Sequence, residues 1–73
     1  MKLSEIPEEE TNLKIIAFCF QPRTMVEIAI RINLSLDYVR RNRVPILVGK
    51  GYLNKIKTES GRVLYKTSSE IEL

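Results

Sequence analysis

Arg40, Arg41 and Arg43 crowd into four consecutive positions, beside Asp37 and Tyr38 and just ahead of Pro45. Guanidinium groups at that density hold anions, because their forked donors match carboxylate and phosphate oxygens. Other chemistry is poorly supplied. The chain has no histidine and a single cysteine, Cys19. A Ser-His or Cys-His nucleophile cannot be assembled from it, and a zinc site has too few ligands. Gly49, Gly51 and Gly61 lack the spacing of a phosphate-binding loop. No catalytic residue, metal, cofactor or small-molecule substrate is expected, and the chain does not read as an enzyme.

The charge is distributed unevenly. The formal net charge is +3 over 73 residues. The first ten residues set Lys2 against Glu5, Glu8, Glu9 and Glu10. Residues 38 to 66 hold Arg40, Arg41, Arg43, Lys50, Lys55, Lys57, Arg62 and Lys66 against Glu59 alone. A cationic half of this kind points to a polyanionic partner. No run approaches the roughly 18 apolar residues of a membrane span. The N-terminus lacks an apolar stretch before a cleavage site, and the lone cysteine fits a reducing compartment, so a cytoplasmic location is expected.

The elements that must position these cations can be read from periodicity. Residues 1–6 read as a flexible lead. A first helix is expected over 7–20, with Pro7 at its first position and the glutamates at the positive end of its dipole. Leu13, Ile16, Ala17 and Phe20 keep the helical apolar spacing, widened by Ile15, Phe18 and Cys19. That surplus suggests a surface for a second chain. A second helix is expected over 24–32, opened by a Thr24–Glu27 capping box and stopped by Asn33 in the left-handed conformation, with Leu34 plugging the turn. Ser35 caps a third helix over 35–49. Two helices joined through Asn33-Leu34-Ser35 have the spacing of a helix-turn-helix. "YLNKIKT" and "RVLYKTS" then read as a hairpin over 51–68 with Gly61 at its tip, and Leu53, Ile56, Leu64 and Tyr65 available for packing. The tail is expected to fray.

Pro45 raises a problem of register. On an ideal helix with Val39 at zero, Leu36 lies near about 60° and Leu47 near about 80°, but Arg43 intrudes near about 40° while Val44 and Val48 point away. One residue of slack before Val44 brings Val44, Leu47 and Val48 onto the stripe of Leu36 and Val39. Pro45 cannot donate to the carbonyl of Arg41 and crowds it. A bulge or kink over 41–45 is therefore expected.

Three helices followed by a basic hairpin resemble the winged helix-turn-helix domain. "TMVEIAIRINLSLDYVRRNRVPILVGKGYL" looks like that family's core motif, and "GRVLYKTS" is similar to its returning wing strand; the small prokaryotic and archaeal members are the nearest in spacing. The implied fold is mainly α with a small β-hairpin, a three-helix core plus a wing in one domain over 1–73. The implied function is regulation of transcription by binding double-stranded DNA, with the third helix in the major groove. Arg41 would then read guanine, with Tyr38, Asp37 and Ser35 on the same exposed face. Arg40 and Arg43 would grip the backbone. Lys55, Lys57 and Arg62 would touch the flanking groove or its phosphates, and Thr24 would offer amides to a phosphate. A module this small is expected to work as a homodimer, with helix one and the chain ends as its surface. The competing expectation is a protein-interaction module whose basic face docks an acidic partner.

Overall fold

The computed structural model describes residues 1–73. A 3₁₀ turn at Leu3–Glu5 precedes four α-helices, α1 Glu10–Phe18, α2 Met25–Ile32, α3 Leu36–Asn42 and α4 Val44–Gly49, and two strands, β1 Leu53–Lys57 and β2 Val63–Thr67. The fold is mainly helical with one antiparallel hairpin. No helix is long and apolar enough to cross a membrane.

Helix α1 starts later than its periodicity suggests. Pro7 is not its first residue; residues 6–9 stay outside it. Tertiary contacts account for the difference. Ile6 is buried, the Glu8 carboxylate accepts from Asn12 and Lys50, and Glu9 accepts from Arg43. The stripe also turns. Ile15, Ile16 and Cys19 are buried, whereas Ala17 is exposed and Leu13 and Phe20 are partly covered. The far end of α1 is capped by other elements. The Thr67 hydroxyl donates to the Ile16 carbonyl at 2.5 Å, the Thr67 amide to Cys19 at 2.8 Å and the Arg23 Nε to Phe18 at 3.0 Å. Three carbonyls that a helix end leaves orphaned are thus satisfied. Part of the apolar surplus of this stretch, Ile15 and Cys19, is used within the chain, while Phe18 stays partly covered.

Helix α2 follows local rules closely. The Thr24 hydroxyl accepts from the Glu27 amide, Glu27 accepts from the Thr24 amide, and Asn33 stops the helix at φ 58°. Ile28 and Ala29 face inward. Leu34 does not plug the turn; it remains exposed, as does Leu36 at the start of α3.

The third helix is broken. Residues 35–49 do not form one rod: α3 ends at Asn42, Arg43 leaves the helical region at φ −122°, ψ −65°, and Pro45 lies in the first turn of α4. A proline there has no amide to satisfy, so the helix restarts without loss. The break puts Val39, Val44 and Leu47 on one buried stripe with Val48 partly covered, as the register argument requires. Only Leu36 falls outside it.

The hairpin pairs Leu53 with Thr67 and Lys55 with Tyr65 around a turn holding Gly61 at φ 87°. Leu53, Tyr65 and Thr67 share the buried face; Ile56 and Leu64 are paired on the opposite face and do not join the core. Arg23 exchanges both backbone hydrogen bonds with Tyr65, at 2.9 and 2.7 Å, so the segment before α2 flanks β2 as a one-residue bridge. The ends are not loose. Lys2 bridges to Glu72, the Leu3 amide donates to the Glu72 carbonyl at 2.7 Å, and Ile6 and Ile71 are both buried.

Candidate polyanion interface

The expected site residues separate into three groups. In the first, Arg40 on α3 and Lys55 on β1 line one groove of about 360 Å³, with Met25, Val44, Pro45 and Val48 along its floor. Two elements distant in sequence therefore each contribute a cationic residue to the lining of the same depression. Lys55 and Lys57 alternate on the strand face that carries Leu53, so both extend from the face that meets the helices. Lys57 and Arg62 are exposed toward the hairpin tip.

The second group is the outer face of α3. Arg40 Nη2 donates to the Asp37 carboxylate at 2.6 Å, and Arg41 Nε lies 3.3 Å from the same oxygen. All three side chains are more than half exposed. Asp37 therefore aligns both guanidiniums without neutralising them together, and water screens the contact. Tyr38 is exposed and lies 5.5 Å below the Arg43 guanidinium. The Ser35 hydroxyl accepts from the Tyr38 amide at 3.2 Å, which leaves its proton free to donate.

The third group is spent on structure. Arg43 is not a surface cation: its side chain is 19% exposed and turns toward α1, where Nη1 donates to the Glu9 carboxylate and to Asn12 Oδ1. Its Nε is buried without a partner. The cause is the register of α3: Arg43 lies one turn after the buried Val39 and its amide still donates to the Val39 carbonyl at 3.2 Å, so its side chain leaves on the inward side. Thr24 likewise serves α2, since its amide donates to the Glu27 carboxylate and its hydroxyl accepts from the Glu27 amide. The Thr24 amide is the main cause holding the Glu27 carboxyl below its ordinary range, with Arg23 and Arg62 adding positive charge nearby.

Arg43 belongs to a chain of polar contacts across the molecule. Lys50 Nζ donates to Glu8 at 2.6 Å, Asn12 Nδ2 donates to the other Glu8 oxygen at 2.7 Å, and Asn12 in turn accepts from Arg43 at 3.1 Å. Lys50 and then Asn12 hold the Glu8 carboxyl below 4.5, and Glu8 raises Lys50 above 10.5. The acidic lead thus fastens both ends of α4, Arg43 before it and Lys50 after it, a role that its spacing in the sequence does not reveal.

A second cationic groove lies elsewhere. Lys14, Arg23 and Arg31 gather around Phe18, with the Arg23 guanidinium 4.1 Å and that of Arg31 5.7 Å from the ring centre. Three separate segments contribute to it, so only folding assembles it. Its one advance signal is Arg23, isolated in "QPRT" between two helices.

In comparison with known proteins, no family model, no curated protein and no solved structure matches the chain.

Proposed function

We propose that this chain is a winged helix-turn-helix protein that binds double-stranded DNA and regulates transcription in the cytoplasm of a prokaryotic cell. The observation that carries the reading is the groove shared by Arg40 and Lys55, beside an outward Arg41. A cationic helix and a cationic hairpin so placed meet one curved polyanion together. The order of elements supports the same reading, with a short segment before α2 bridged to β2. In this arrangement α3 enters the major groove and Arg41 offers its fork to guanine O6 and N7. Arg40, Lys55, Lys57 and Arg62 hold phosphates, while Arg43 and Thr24 contribute only by keeping α3 and α2 in place. Two copies on a two-fold site would supply the area that one small module lacks.

A titration with random-sequence duplex at two salt concentrations tests this. The affinity should fall by roughly 0.9 log units per log unit of salt for each phosphate contacted, so a slope steeper than about −3 is expected for this set of cations. Arg41→Ala should weaken a selected duplex on the order of tenfold more than random duplex, whereas Lys57→Ala should weaken both alike. Absence of binding at low salt would sink the reading. It would favour a winged helix that docks an acidic protein segment, which the apolar floor of Met25, Val44, Pro45 and Val48 between two cations also fits.

A further inference from the structure

The groove around Phe18 has no part in the reading above. It measures about 390 Å³ and opens between α1, the segment that follows it and α2. Each of these segments supplies one cation, Lys14, Arg23 and Arg31 in turn, and no carboxylate lines the groove. Like charges that folding brings together repel, and an anion between them removes that cost. Most of their donors are also idle. Arg23 Nε is spent on the Phe18 carbonyl at 3.0 Å, which holds the guanidinium over the Phe18 ring and leaves both Nη groups free. Neither arginine is in an ion pair, since all five join other residues. Lys14 is only loosely held: it lies 3.5 Å from Glu10, and both side chains stand in water. The Glu27 carboxylate, on the flank of α2, is taken by the Thr24 amide at 2.8 Å.

We infer that this groove binds a phosphate monoester carried on a small apolar molecule. Such a group brings nearly two negative charges and three terminal oxygens. Three cations from three segments match it: each guanidinium fork can hold two oxygens and the ammonium one. The diester of a nucleic-acid backbone brings a single charge per phosphate and leaves part of the set unanswered. The dimensions select the rest of the ligand. A depression of about 390 Å³ falls in the range of small-molecule sites. Ala17 and Phe20 also line it, so an apolar edge lies beside the cations and suits an uncharged group behind the phosphate. None of these residues takes part in the DNA reading, and the inference does not rest on it.

Calorimetric titration of the whole chain with phenyl phosphate is the test. It is run at fixed ionic strength, because exposed charges are screened by salt. The pH is held near about 8, where phosphate and its monoester both carry close to two charges. One molecule should bind per chain, with a dissociation constant below about 1 mM. Inorganic phosphate has the charge without the apolar part and should bind on the order of tenfold more weakly. Arg31→Gln should weaken phenyl phosphate on the order of tenfold. Its thermal melt should barely change, since Arg31 is exposed and in no ion pair. Arg23→Ala is less clean, because it also uncaps the end of α1. Lys57→Ala, on the hairpin, should leave the constant as it is. The inference is overturned by no saturable binding up to about 1 mM, by equal affinity for the two phosphates, or by indifference to Arg31→Gln. Tighter binding of a phosphotyrosine peptide than of phenyl phosphate overturns it too, since the occupant would then be a protein segment. The duplex titration reads other residues, so either reading can fail while the other stands.

Discussion

At the scale of single residues, similar side chains have opposite uses. Arg41 and Arg43 are two positions apart. One is 70% exposed on the outer face of α3 and the other 19% exposed against α1. Proximity in the sequence made them look like one basic cluster; the helical register sorts them, since Arg43 lies one turn beyond the buried Val39 and Arg41 does not. Glu8 offers a test at this scale. Its carboxyl is held low chiefly by Lys50, so it is ionised in the folded chain at a pH where the unfolded chain already binds a proton. Stability from this group is complete above the ordinary value of 4.5 and is lost as the pH falls through the lower, folded value. Glu8→Gln should therefore flatten the acid limb of a stability–pH curve measured by urea unfolding, and leave its slope near neutrality unchanged. For Lys50 the sign is reversed. Its contribution is present below 10.5 and is lost as the pH rises through the raised folded value.

At the scale of elements, what could be read in advance depended on how local the signal was. The capping box and left-handed stop of α2 lie within a few residues of what they control, and they appear as their spacing predicts. The break in the third helix was equally legible, because the proline and the misplaced apolar spacing agree on its position. The start of α1 was not, since the contacts holding residues 6–9 out of the helix come from Arg43 and Lys50, more than thirty positions away. Pro45→Ala probes the break directly. The restart of α4 accepts proline without strain, so the substitution should cost about 0.4–1 kcal/mol, mostly by freeing the unfolded chain. Denaturant unfolding should show that modest loss. A gain in stability would mean that a continuous helix is preferred and that the proline imposes the break against the packing.

At the scale of the whole molecule, one small core is closed by long-range ties. Twelve buried apolar residues, from Ile6 to Ile71, form one cluster, and the two chain ends are paired beside it. Cys19 sits in this cluster with no exposed surface, and burial pushes its thiol up to about 12. A disulfide reagent should therefore react with Cys19 only when the entire cluster opens, and its rate should follow the global unfolding equilibrium. Rapid labelling under strongly folding conditions would instead show that the end of α1 and the end of β2 separate on their own.

The sequence by itself determined the element types, the helix-turn-helix spacing, the hairpin and the excess of positive charge in its second half. Each of these is written in periodicity, capping or composition, which neighbouring residues settle among themselves. Tertiary structure alone decided which cations are free. Arg43 went to the core, Arg40 and Lys55 met across one groove, and Lys14, Arg23 and Arg31 gathered around Phe18. It also decided that Ile15 and Ile16 of α1 would be covered while Val26 and Ile30 of α2 stayed bare. The physical reason is common to all of these outcomes: a side chain's partners are chosen by the packing of distant segments, and local spacing does not encode that choice.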